Sequence, residues 1–182
     1  MFFSLLFACA AGLQVDSASL QSDEAVCANI AGMQMCDFEA IDEDGESVTI
    51  AELRGKPVVL DLTAAWCGPC IQAAAETQEK ADALPDVVFL TLMIEDVAGQ
   101  IPDVADILLW KNTHGITAPV WGGSRDLLTA NPLDVKEKFY LTGWPTFYFI
   151  DSEGYVVDYM RGYEANAILQ KASEPVSYTH LR

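Results

Sequence analysis

A buried strand that leads directly into a Cys-x-x-Cys motif is the feature that most constrains the fold of this chain. Residues 57–62 form an apolar run, typical of a strand covered on both faces of a sheet. The motif Trp66-Cys67-Gly68-Pro69-Cys70 follows, and apolar residues then recur at helical spacing over residues 70–84. A second apolar run covers residues 87–94. Strand, helix and strand of these lengths predict a parallel crossover unit within an α/β sheet.

The remaining segments complete a domain with two hairpins. Alternating residues around acidic, glycine-containing turns predict both hairpins, and helical periodicity predicts the helices. The predicted elements are a hairpin of 38–41 and 47–50, a helix at 104–113, a short strand at 117–121, a helical stretch at 133–140, a hairpin of 145–150 and 155–160, and a last helix at 164–172.

The position of the two cysteines indicates redox chemistry. At the start of a helix the first N–H groups lack partners and the helix dipole is positive, so a thiolate is stabilised there and its pKa falls. Cys67 is therefore predicted to be a nucleophile near neutral pH. Cys70 lies one turn further along the helix, where it can attack a mixed disulfide formed by Cys67.

Several motifs resemble one known superfamily. Residues 66–70 resemble the thioredoxin active site, and Gly143-Trp144-Pro145-Thr146 resembles the loop in which that superfamily keeps a cis-proline facing the Cys-x-x-Cys motif. Residues 38–45, 53–59 and 150–154 are similar to the TlpA/ResA-like, membrane-associated thioredoxins. The resemblance covers about residues 37–174. It implies a thioredoxin fold, with a central mixed sheet flanked by helices and an N-terminal β-hairpin extension.

The resemblance also implies roles for individual residues. Cys67 is the attacking thiol, Cys70 the resolving thiol, and Pro145 the cis-proline beside which substrate docks. Asp61 lies six residues before Cys67, where thioredoxins keep a buried carboxylate that accepts the proton of the resolving cysteine. Burial in an apolar strand raises the pKa of such a carboxyl, although an exposed aspartate at a strand end is the alternative. The residues expected to contact substrate are Trp66, Gly68, Pro69, Trp144 and Thr146.

Three positions depart from the family pattern. Thr91 stands where cytoplasmic thioredoxins place a lysine near the buried aspartate. Residues 73–75 are all alanine, in the region where many TlpA-like proteins carry glutamate and proline. Trp144 is bulkier than the usual residue before the cis-proline, so it either contacts substrate or serves packing alone.

The N-terminal region predicts export. Residues 1–8 resemble a lipoprotein signal peptide, Cys9 is the predicted lipidation site, and residues 9–36 are predicted to be a tether. A plain secretory signal is the alternative. Residues 37–174 form the predicted thioredoxin-like domain, and residues 175–182 resemble translated adapter sequence, so they are predicted to be a non-native tail.

The other cysteines and the charge limit the remaining possibilities. Cys27 and Cys36 are predicted to form a structural disulfide that pins the tether, with a redox relay or free thiols as alternatives. No metal and no cofactor are expected, since only His114 and His180 could add ligands to a zinc site. A net charge of −17 argues against nucleic-acid binding.

The sequence therefore predicts an extracytoplasmic thiol–disulfide oxidoreductase, lipid-anchored in the periplasm and monomeric. The Gly68-Pro69 pair resembles that of reducing thioredoxins, which favours reduction of protein disulfides over their formation. The expected partners are protein disulfides and a membrane or periplasmic thiol that donates electrons. A non-catalytic module that binds clients or a metal is the alternative.

Overall fold

Seven strands form one mixed sheet in the computed structural model, which describes residues 27–174. The strands are β1 (Glu39–Ile41), β2 (Ser47–Thr49), β3 (Val58–Ala64), β4 (Val88–Glu95), β5 (Val120–Gly122), β6 (Leu128–Thr129), β7 (Phe139–Tyr140), β8 (Thr146–Ile150) and β9 (Val156–Arg161). The order in the seven-stranded sheet is β2-β1-β5-β4-β3-β8-β9, with β3, β4 and β5 parallel and the other neighbours antiparallel. The helices are α1 (Gly68–Ala75), α2 (Thr77–Ala83), α3 (Val104–His114) and α4 (Ala165–Ser173), with 3₁₀ turns at Ile50–Leu53 and Arg125–Leu127.

This topology confirms the predicted fold: a mixed sheet of thioredoxin type, flanked by helices and extended by an N-terminal hairpin. The central strand β3 is buried along its whole length, as its apolar sequence predicted. Alternate residues face opposite sides. Leu60 joins a core with Phe38, Phe139 and Tyr148, whereas Val59 joins a second core beneath α1 and α4. Asp61 faces the side of Val59, and this places its carboxyl under α1.

The single helix predicted for residues 70–84 is wrong. The structure has two helices, α1 and α2, separated at Glu76, whose φ of −116° and ψ of 0° leave the helical region. The Thr77 hydroxyl donates to the carbonyl of Ala73 at 3.0 Å, and the Glu76 N–H also points towards that carbonyl. Side-chain competition of this kind for a backbone carbonyl disturbs a helix locally, and periodicity alone does not reveal it.

The helical stretch predicted for residues 133–140 is also wrong. The Asn131 side chain accepts the N–H of Leu133 in a turn, and the chain then enters β7, which pairs with β6 in a small separate sheet. Phe139 is fully buried, edge-on to both Phe38 and Tyr148. Tertiary burial of this aromatic ring therefore decides the local structure, against the weak helical periodicity.

The last part of the predicted tether packs against the domain. Gly32 and Met33 exchange backbone hydrogen bonds with Val156 of β9, and the N–H of Met35 bonds to Gly154. Met35 is buried in the main core. Residues 28–36 are thus part of the packed structure. The predicted signal peptide, Cys9 and the 175–182 tail lie outside the described residues. Within residues 27–174, no helix is long and apolar enough to cross a membrane.

Candidate active site

Cys67 and Cys70 lie where β3 gives way to α1 and are joined by a disulfide, with Cα atoms 5.2 Å apart. Cys67 is the N-cap residue, and Pro69 occupies the first turn, where its missing N–H costs nothing. The Cys67 sulfur accepts the N–H of Cys70 at 3.2 Å. Cys67 is 4% exposed and Cys70 is fully buried. After reduction, the helix N-terminus favours the thiolate of Cys67 over that of the more deeply buried Cys70.

Asp61 is buried beneath the same helix. Its side chain lies on β3 between Thr91 of β4 and Phe147 of β8, and the residue is 6% exposed. Asp61 is therefore buried, and the alternative of an exposed aspartate at a strand end is wrong. The Oδ1 atom has no hydrogen-bond partner among the described residues. Loss of hydration raises the pKa of Asp61 to about 8, because burial penalises the ionised carboxylate.

The loop before β8 lies beside the cysteine pair. The Trp144–Pro145 peptide bond is cis. The Thr146 hydroxyl donates to the carbonyl of Gly143 at 2.8 Å, and the Pro145 carbonyl accepts the N–H of Gly162 at 2.8 Å. These bonds hold both ends of the turn, so the loop presents a defined backbone edge.

Two tryptophans flank the disulfide. Trp66 and Trp144 meet edge-to-face with ring centroids 6.3 Å apart, and Trp144 also packs against the core cluster that contains Cys67 and Cys70. Trp66 remains 48% exposed. Trp144 thus has a packing role in the structure, and the exposed face of Trp66 is available for contact with substrate.

Sequence reasoning missed Glu95, which holds Trp66 in place. The indole Nε1 of Trp66 donates to Glu95 Oε2 at 2.6 Å, and Arg125 forms an ion pair with the other carboxylate oxygen. The Glu95 side chain is only 1% exposed. An acidic residue that ends an apolar strand run was the only sign in the sequence. Because a buried carboxylate needs polar partners, an acidic residue at this position predicts a hydrogen-bond donor or a cation nearby.

The second cysteine pair is separate from this site. A disulfide joins Cys27 to Cys36, and the Cys36 N–H bonds to the buried side chain of Asn29 at 3.0 Å. The Asn29 N–H in turn bonds to the carbonyl of Val135. Over residues 27–174, no group of three or more His, Cys, Asp or Glu side chains is placed to hold a metal ion.

This arrangement places Cys67 at a helix start, Cys70 one turn further along, the buried Asp61 carboxyl beneath them and the cis-proline loop alongside. Together with the fold, it defines a thiol–disulfide oxidoreductase of the thioredoxin superfamily. The AhpC/TSA family model matches residues 31–159, which is more than half of the chain. The chain therefore belongs to the AhpC/TSA family.

Individual relatives agree with this assignment. The exposed lipoprotein thioredoxin Etrx1 of Streptococcus pneumoniae TIGR4 is 32% identical, with a TM-score of 0.58, over 76% of this chain and 99% of that one. Thioredoxin-like protein YneN of Bacillus subtilis is 28% identical over 70% of this chain and 69% of its own length. A secreted disulfide oxidoreductase of Mycobacterium tuberculosis shares the fold, with a TM-score of 0.56 and 20% identity over 74% of this chain and 93% of that one. Matches to two plant thioredoxins span only 19% and 46% of those proteins.

Proposed function

We propose that this chain is an extracytoplasmic oxidoreductase that reduces disulfide bonds of protein clients through Cys67 and Cys70. The observation that carries the proposal is the hydrogen bond from the Cys70 N–H to the Cys67 sulfur at the first turn of α1. A sulfur in this position accepts stabilisation from the helix N-terminus, so its thiolate is populated near neutral pH. A populated thiolate is the nucleophile that disulfide exchange requires.

In the proposed cycle, the Cys67 thiolate attacks a client disulfide. A bond forms between Cys67 and one client sulfur, the client S–S bond breaks, and the other client sulfur leaves as a thiolate. Cys70 then gives its proton to the Asp61 carboxylate and attacks the Cys67 sulfur, which releases the second client sulfur. The client gains two electrons, and the Cys67–Cys70 disulfide is formed. A pKa of about 8 suits Asp61 to accept and release a proton near neutral pH.

Client docking is proposed along the edge formed by Trp66, Trp144 and Pro145, with Gly68, Pro69 and Thr146 at its borders. The exposed Trp66 face and the held cis-proline loop support this placement. The reductive direction rests on the similarity of Gly68-Pro69 to reducing thioredoxins. Since about 30 mV corresponds to about 1.4 kcal/mol, the reduction potential of the Cys67–Cys70 pair is the measurement that decides the direction.

We also propose that the protein acts as a monomer in the periplasm, anchored by lipid on Cys9 and re-reduced by a membrane or periplasmic thiol. The names of the pneumococcal exposed lipoprotein and the secreted mycobacterial oxidoreductase support an extracytoplasmic location. Fatty-acid labelling of the full chain in a bacterial host tests the anchor. Label is expected on the wild type and absent from Cys9→Ser; equal labelling of both refutes the lipid anchor.

The exchange activity is tested with trapping variants. Cys70→Ser is expected to accumulate mixed disulfides with insulin and with extracytoplasmic proteins, because Cys67 still attacks but nothing resolves the adduct. Cys67→Ser is the matched control and is expected to form none. Wild-type protein is expected to reduce insulin in the presence of a dithiol, whereas Cys67→Ser is not. Identical behaviour of the wild type and Cys67→Ser would refute the proposed activity.

A further inference from the structure

A small cavity lies beneath the junction of α1 and α2, next to the Asp61 carboxyl. Its volume is about 10 Å³, which is enough for about one water molecule. Aromatic and aliphatic side chains form most of its wall, including Val59, Phe89 and Phe147. Lys80 and Tyr163 also line it. Asp61 thus faces a space in which one bridging water can reach a second polar group.

Lys80, Tyr163 and Glu76 form a closed triangle on the far side of the cavity. The Lys80 ammonium donates to Glu76 Oε2 at 2.9 Å and to the Tyr163 oxygen at 2.8 Å. The Tyr163 hydroxyl donates to the same Glu76 oxygen at 2.5 Å. The Lys80 side chain is 7% exposed, whereas that of Glu76 is 46% exposed. The triangle therefore leads from the buried cavity to solvent.

Burying a lysine here is costly for stability, because an ammonium loses its hydration. Lys80 is the only cationic residue among those that line this cavity in the described part of the chain. The polar contacts of Lys80 and Tyr163 act on the Glu76 carboxylate. Hydrogen bonds from Tyr163 and Lys80 lower the pKa of Glu76, which keeps it ionised near the surface. Burial, and then the bond to Glu76, raise the pKa of Tyr163, so its hydroxyl stays protonated.

If Asp61 exchanges a proton in every catalytic cycle, it needs a path for protons between the buried cavity and solvent. Thr77, another polar residue of the cavity wall, uses its hydroxyl to bond the carbonyl of Ala73. The charged and titratable groups that face the cavity are Asp61, Lys80 and Tyr163. Glu76 and Glu164 act on Tyr163 from outside the cavity, and Cys70 lies buried one helical turn before Ala73.

We propose that the Tyr163 hydroxyl, positioned by Glu76 and Lys80, relays the proton of Asp61 to solvent before Cys70 resolves the mixed disulfide. The inference rests on the proposed function. Near neutral pH the buried Asp61 holds a proton, which it must lose before it can accept that of Cys70. This carboxyl proton passes through the cavity water to the Tyr163 oxygen, while the Tyr163 hydroxyl proton moves to Glu76 and from there to solvent. The Asp61 carboxylate then takes the proton of Cys70 as that sulfur attacks Cys67. Tyr163 ends neutral, one proton is released, and the relay itself transfers no electrons.

Stopped-flow mixing of the reduced full chain with DTNB separates the two steps. One thionitrobenzoate is released when Cys67 attacks and a second when Cys70 resolves the adduct. In Tyr163→Phe the second phase is expected to slow by about tenfold near neutral pH, with a smaller solvent deuterium isotope effect, because the relay is broken. The first phase is expected to keep its rate. Glu76→Gln is also expected to slow the second phase and to reduce its isotope effect.

Tyr148→Phe is the matched control, because it removes a tyrosine hydroxyl that bonds to the Tyr140 carbonyl at 3.0 Å, on the other face of the sheet. It is expected to leave both phases and the isotope effect unchanged. If the wild type shows two phases and both Tyr163→Phe and Glu76→Gln keep its second-phase rate and isotope effect, the relay is refuted. If the wild type itself shows no second phase, the proposed function fails instead. If Tyr163→Phe does not fold, the test rests on Glu76→Gln, which changes the solvent-exposed end of the triangle. An unchanged second phase in that variant then refutes the relay.

Discussion

Replacing Asp61 by asparagine removes a buried carboxyl group whose pKa is raised by burial to about 8. In the unfolded chain an aspartate has a pKa of about 3.9. Between these two values the folded protein holds a proton that the unfolded chain has released. The stability contribution of Asp61 is therefore fully present at low pH, falls as the pH rises above about 4, and levels off above about 8. Asparagine is nearly isosteric and does not titrate.

The size of the effect follows from the linkage between proton binding and stability. While only the folded state is protonated, the free energy of unfolding of the wild type falls by about 1.4 kcal/mol per pH unit relative to Asp61→Asn. Between about pH 5 and about pH 8 the difference grows to about 4 kcal/mol. This figure is an upper bound, because relaxation and water entry around a buried charge reduce its real cost.

The assay is urea unfolding of the oxidised proteins, in which the disulfide-bonded Cys67 and Cys70 do not titrate. Wild type and Asp61→Asn are compared across this pH range, so that the titration of other groups cancels. Thr91→Val is the control, because it changes another buried polar residue of the same cavity without a titrating group. It is expected to shift stability by the same amount at every pH. Equal pH slopes for the wild type and Asp61→Asn would show that the Asp61 carboxyl is not protonated by burial.

Three shorter predictions concern other parts of the molecule. In the reduced protein, iodoacetamide is expected to modify Cys67 at least about tenfold faster than Cys70, since only Cys67 caps α1; mass spectrometry that finds equal rates contradicts this assignment. Cys36→Ser opens the N-terminal disulfide and is expected to lower the free energy of unfolding by about 2–3 kcal/mol without slowing insulin reduction, whereas slower reduction would indicate a redox relay. Glu95→Leu removes the acceptor of the Trp66 indole and is expected to cost about 1–3 kcal/mol in urea unfolding, more than Glu95→Gln; an equal loss argues against the hydrogen bond as the cause.

The parts of the fold that were predictable have a strong local pattern. The apolar runs correspond to β3 and β4, and the first acidic turn joins β1 to β2 as expected. Errors arose where distant residues decide the structure. Phe139 is held in β7 by contacts with Phe38, about a hundred positions earlier, and with Tyr148. The sequence pattern within residues 133–140 cannot predict contacts with residues so far away in the chain.

The same division holds for the site. Cys67, Cys70 and Pro145 belong to short motifs, and Asp61 has a fixed spacing from them, so a resemblance was enough to single them out. Glu95 meets Trp66 across 29 positions, and Tyr163 meets Glu76 across 87. A tyrosine between a strand and a helix has no local pattern that marks it as a member of a partly buried polar network. Tyr163 meets Glu76 because α2 and α4 pack on the same face of the sheet.

The break between α1 and α2 and the polar triangle are connected through one residue. Glu76 has the non-helical backbone at which the two helices separate, and its carboxylate binds both Lys80 and Tyr163. Ala73, one turn earlier, stands in the region where many TlpA-like proteins carry a glutamate, and here its side chain lines the Asp61 cavity. The chain thus has no carboxylate at Ala73 but has one at Glu76, nearer to solvent. Departures from regular structure that also gather buried charge are expected where function, rather than packing, sets the sequence.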